Sequence, residues 1–104
     1  MLTERETWIV HGVLAPFAEA IERVAVFGSR ALGTARPSSD IDLALFGTFT
    51  EAQLARMWTL FDESSLAVTV DLLDYGRTTN PTILHHVDAV GIPLFTREQL
   101  KAAV

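Results

Sequence analysis

The sequence predicts an α+β domain, a small α/β sheet with helices packed mainly on one of its faces. Two observations carry this expectation. Short β-branched runs alternate along the chain with segments whose apolar residues recur at helical spacing. A length of 104 residues with 49% hydrophobic and 20% charged content suits a single domain, residues 1–104, around one core.

Thr3 and Glu6 match a capping box, and Ile9, Val13 and Phe17 follow at helical spacing, with Pro16 expected to kink that helix or end it near Ala15. Residues 24-VAVFG-28 read as a buried strand closed by glycine. In 39-SDIDLALF-46, Ile41, Leu43 and Leu45 fall on one strand face and Asp40, Asp42 and Ala44 on the other. Thr48 with Glu51, or Thr50 with Gln53, can cap the next helix, whose apolar stripe is Leu54, Met57, Trp58 and Phe61. A third strand is expected at 67-AVTVDLLD-74. A helix then runs from Pro81 to about Val90, where Gly91 stops it. Ile92 to Phe95 reads as a short strand or extended arm, and Thr96 to Lys101 as a last helical turn or two.

Composition removes several function classes. There is no cysteine, hence no disulfide framework and no thiol or Cys-based zinc chemistry. No apolar run approaches the ~20 residues of a membrane-spanning helix, and the acidic opening MLTERETWIV is unlike a basic signal peptide, so a cytoplasmic protein is expected. A net charge of -5 and a single lysine, Lys101, argue against a broad nucleic-acid surface. A small nucleotide is compatible with that charge, because one metal-loaded pocket can hold phosphates on an acidic protein.

The stretch 28-GSRALGTARPSSDIDLAL-45 concentrates the chemistry. Gly28 allows close backbone approach and Ser29 adds a hydroxyl where a short helix would begin, together resembling an anion cradle. Arg30 reads equally as a phosphate contact or a solvated surface residue. Asp40 and Asp42 share a strand face, where like-charge repulsion favours a hard cation such as Mg²⁺. For Asp40, beside Ser38 and Ser39, a turn-capping role explains the residue as well; Asp42 lies inside an apolar strand, where that explanation is weaker. A third carboxylate would come from VDLLD, in which Asp71 and Asp74 fall on opposite faces, Asp74 at a turn. Parity alone does not decide which face meets Asp40 and Asp42.

Gly28-Ser29, Gly33, Ser39-Asp40-Ile41-Asp42-Leu43 and Val70-Asp71-Leu72 resemble the minimal nucleotidyltransferases of the DNA polymerase beta superfamily, with their GS-x-A-x-G, S-D-x-D-L and later single-Asp pattern. The likeness spans nearly the whole chain. It implies a mixed sheet flanked by helices, two Mg²⁺ ions on Asp40, Asp42 and Asp71, and a nucleoside triphosphate, ATP by preference, on Gly28 and Ser29 with Arg30 beside them. It also implies that Asp71 helps activate an acceptor hydroxyl that attacks the α-phosphorus.

Larger relatives, such as aminoglycoside nucleotidyltransferases, add a helical acceptor domain for which this length leaves no room. The short members typically act with a helical HEPN-type or substrate-binding protein encoded nearby, which some silence by transferring AMP to a tyrosine in a toxin–antitoxin pair of type VII kind. The resemblance therefore implies a protein adenylyltransferase antitoxin. Two other readings stand beside it: a module that neutralises its partner by occlusion, through apolar segments such as Ile83-Leu84 or Ile92-Leu94, and a transferase to a small-molecule hydroxyl held by a helical partner. His85 and His86 point about 100° apart on a helix and make a poor shared metal site; His11 needs no role, and Tyr75 reads as a turn-packing residue.

Overall fold

A computed structural model describes residues 1–102. The elements run α1 (Glu4–Leu14), a 3₁₀ turn (Ala15–Phe17), β1 (Ile21–Phe27), α2 (Gly28–Leu32), β2 (Ile41–Gly47), α3 (Glu51–Asp62), β3 (Val70–Asp74), a second 3₁₀ turn (Tyr75–Arg77), α4 (Pro81–Val90), β4 (Ile92–Thr96) and α5 (Arg97–Lys101). The four strands form one mixed sheet in the order β3-β2-β1-β4. β1 pairs antiparallel with both β2 and β4, while β2 and β3 run parallel with α3 as the crossover between them.

Local sequence explains the helix ends. Thr3 and Glu6 close a reciprocal capping box on α1, and Thr50 with Gln53, rather than Thr48 with Glu51, does so on α3. Asn80 caps α4 through Oδ1, with Pro81 at the first helical position. Pro16 ends α1 at Leu14 and sits in the 3₁₀ turn, so the buried stripe of α1 is Ile9, Val10 and Leu14; Val13 and Phe17 only flank the core.

Two strand boundaries differ from the sequence reading. β1 starts at Ile21, because a register shift between Ile21 and Arg23 interrupts the alternation that would have marked its beginning. β3 starts at Val70, and residues 67–69 only approach the sheet, where the Thr69 carbonyl accepts the Ile41 N–H.

Strand parity separates two sheet faces. Val24, Val26, Ile41, Leu43, Leu45 and Val70 join Val10 and Leu14 of α1, Met57 and Phe61 of α3 and Leu100 of α5 in the main core. The opposite face carries a smaller cluster of Ala25, Ala44 and Val87 of α4, with Phe27, Phe46, Leu73 and Tyr75 around it. Most helices thus cover one face, and the other is left partly open beside α4. Among the described residues, no helix is long and apolar enough to cross a membrane.

Candidate active site

The partly open face holds the carboxylates. Asp42 follows Ile41 into β2, and its Cα partners are Phe27 on one side and Asp71 on the other. The parallel register resolves what parity left undecided: Asp71, on the same strand face as Leu73, stands directly beside Asp42. Asp74 lies on the other parity, where its carboxylate is 3.5 Å from Arg77 Nε and its carbonyl accepts from Thr78, a turn-closing role. Asp40 stands exposed just before β2.

The Asp42 carboxyl is pushed above its ordinary range by burial first, then by the charges of Asp71 and Asp40, with His86 acting in the opposite sense. A group so placed gains from a cation or a hydrogen-bonding ligand that offsets the repulsion.

Gly28 is fixed by two independent constraints. Its φ of 70° is left-handed, and a Cβ at this position would overlap Asp42 Oδ2. Glycine therefore lets the start of α2 lie directly against the carboxylate. No side chain caps α2, so first-turn amides beyond Gly28 are available to an anion. Gly33 closes α2 at a φ of 76° and turns the chain toward the 34–40 loop.

The polymerase beta nucleotidyltransferase sequence family matches residues 14–100. The chain belongs to that family. Solved structures agree in fold. A crystal structure of a toxin–antitoxin with AMP-PNP is 26% identical over 91% of this chain and 80% of that one, with a TM-score of 0.71. A crystal structure of the toxin–antitoxin MntA-HpeT carrying a tyrosine-to-alanine mutation is 27% identical over 97% and 81% of the two chains, with a TM-score of 0.68. A second MntA-HpeT structure, with two aspartates changed to glutamate, is 23% identical over 96% and 81%, at a TM-score of 0.68, and bears on the fold alone. No curated protein matches the chain.

This nucleotidyltransferase engages Arg30 in contacts that neither reading of its sequence named. Arg30 is buried, and its guanidinium holds both carboxylate oxygens of Glu6 at 2.8 and 3.0 Å, the Ser39 carbonyl at 2.8 Å and the Met1 carbonyl at 3.3 Å. It is not a solvated surface residue: its guanidinium is engaged within the fold. It ties α2 and the residue before Asp40 to α1, and so fixes both ends of the GSRALGTARPSSD loop. Glu6 Oε1 also accepts the Thr3 N–H at 2.9 Å, so one side chain serves as cap and as counter-ion.

The fit of the acidic residues to a divalent ion is uneven. All three are carboxylates, the donor type Mg²⁺ prefers, and Asp42 carries the repulsion a cation would relieve. Among the described residues, however, no three His, Asp or Glu side chains gather closely enough to surround one ion. Asp42 and Asp71 form the closer pair, and an ion there needs oxygens from phosphates or water to complete its shell.

Sequence reasoning gave no role in the site to His86 or to the groove beside it. His86 of α4 accepts the Gly28 N–H through Nε2 at 3.3 Å and meets the Phe27 ring edge-on, with centroids 6.0 Å apart. Phe27, Asp71, Leu72, Leu73, Thr82, Ile83 and His86 line a largely apolar groove of about 460 Å³ along the carboxylates. The periodic burial of Val87 places α4 on the sheet, but nothing in the sequence pairs α4 with β1. Tyr75 lies against Phe46 at 4.3 Å and donates to Asp88 at 2.7 Å, a packing role as expected.

Proposed function

We propose that the protein transfers a nucleoside monophosphate, AMP from ATP, to a hydroxyl on a helical partner protein, acting as the catalytic antitoxin of a toxin–antitoxin pair in the cytoplasm. The observation that carries this is the pairing of Asp42 with Asp71 in the β2–β3 register, next to a glycine that only a glycine can replace. The family membership supports the reaction class, and the toxin–antitoxin structures, one with AMP-PNP, support a nucleotide and a partner.

In this reading, Gly28 and Ser29 bring the start of α2 to the triphosphate oxygens. Asp42 and Asp71, with Asp40 at the strand entrance, are the carboxylates that would hold Mg²⁺, which would neutralise phosphate charge and polarise the reacting phosphorus. Asp71, the more exposed of the facing pair, accepts the proton of the acceptor hydroxyl. The acceptor oxygen bonds to the α-phosphorus as the bond from that phosphorus to the bridging oxygen breaks, and pyrophosphate leaves with the electron pair. A HEPN-type partner with a tyrosine acceptor is the form of this reading that the sequence resemblance favours. The apolar groove beside Asp71 suits an aromatic ring approaching the carboxylates, which is the observation on this molecule that favours a tyrosine over an aliphatic alcohol.

Pyrophosphate release from ATP and Mg²⁺ tests the reaction. It should require the proposed partner toxin, and Asp42→Ala and Asp71→Asn should each reduce it at least a hundredfold. Release that survives Asp42→Ala would place the chemistry elsewhere.

A further inference from the structure

We infer that His86 is a positioning residue that sets the phosphate-binding turn against the carboxylate pair. The inference rests on the nucleotide-transfer reading above and adds to it a member from α4, an element outside the GSRALGTARPSSDIDLAL motif.

Gly28 has no side chain to hold its backbone, and its left-handed φ of 70° is one of several conformations open to glycine. On one side the space a Cβ would take is filled by Asp42 Oδ2. On the other its N–H donates to His86 Nε2 at 3.3 Å. The hydrogen bond makes Nε2 the acceptor and assigns the ring proton to Nδ1. The ring is itself held, edge-on to Phe27 with an interplanar angle of 77°, and the next residue of α4, Val87, is buried between Ala25 and Ala44.

His86 therefore locks the Phe27–Gly28 peptide to a helix packed on the sheet. It also takes up the first amide of α2. Without this acceptor the glycine can rotate its N–H away, and the turn loses its alignment with Asp42. The cost falls on phosphate binding more than on the transfer step, because Asp42 and Asp71 are held by strand register independently of α4.

The test compares wild type, His86→Ala and His86→Gln, the glutamine carboxamide oxygen being able to accept an N–H from near the Nε2 position. Steady-state transfer should show His86→Ala raising KM for ATP about five- to tenfold, the scale of one lost hydrogen bond, with kcat changed about twofold or less. His86→Gln should recover most of the loss. Amide hydrogen exchange on the ligand-free proteins should show Gly28 protection lost in His86→Ala and kept in His86→Gln, with matching thermal unfolding midpoints. An unchanged KM in His86→Ala, equal losses in both variants, or a KM rise that follows a fall in unfolding temperature would overturn the inference while the transferase reading stands. A wild-type protein that neither binds nor transfers nucleotide would overturn both.

Discussion

Arg30 and Asp42 carry opposite charges, and each is answered in a different way. Arg30 is matched within the fold by Glu6, whereas Asp42 is crowded by carboxylates of its own sign. Burial acts to raise the Glu6 carboxyl, but the hydrogen bond and charge of Arg30, with the Thr3 backbone, hold it below its ordinary value of 4.5. A depressed carboxylate stabilises the fold above its unfolded-state value and loses that contribution as pH falls through the folded one. Arg30→Ala should therefore cost about 3 kcal/mol at neutral pH, as a buried pair broken on one side does. In urea unfolding the gap to wild type should narrow in acid, and a gap independent of pH would mean that Glu6 is not the counter-ion.

Asp42 has the opposite sign. Its folded-state value is raised, so its ionisation opposes folding, and the loss sets in as pH rises above the unfolded-state value. The groups that face it are Asp71 of β3, Asp40 at the strand entrance and His86 of α4. Asp42→Asn should raise the ligand-free unfolding temperature by a few degrees at neutral pH while abolishing transfer. A lower midpoint would contradict the repulsion that a cation is proposed to relieve.

At the scale of elements, the helix caps were the most legible features because they are written in residues three apart. The boxes at Thr3–Glu6 and Thr50–Gln53 and Pro81 at the start of α4 need no tertiary information. Thr50→Ala should cost α3 about 1 kcal/mol in denaturant unfolding, with transfer unaffected since α3 packs on the face opposite the carboxylates. Long-range pairing was illegible. The bulge after Ile21 hid the start of β1, and the face of Asp71 depended on a parallel register across a crossover helix, which alternation within one strand cannot supply. The Arg30–Glu6 pair was hidden for the same reason: Glu6 lies on another element and had already been explained as a cap.

For the molecule as a whole, the sheet brings together residues from β1, α2, β2, β3 and α4 on its less covered face. Gly28 and Asp42 stood out because each has a chemical reason at its own position, whereas only the family resemblance singled out Asp71 before the β2–β3 register placed it beside Asp42. His86 stood out in neither way, since its role exists only once α4 is packed beside β1. The apolar segments weighed for a partner contact divide between sheet and surface. Ile92 and Leu94 belong to the sheet, and Ile83 borders the groove, while Trp8 is 62% and Leu32 54% exposed outside it.

The central claim is that this arrangement moves a nucleotide onto a partner, and the intact mass of that partner reads it most directly. After incubation with this protein, ATP and Mg²⁺, the partner toxin proposed above should gain the mass of AMP on a tyrosine. The Asp42→Ala variant should leave it unmodified while still binding it. A partner that forms the complex, is neutralised and keeps its original mass would contradict the account and leave occlusion as the mechanism.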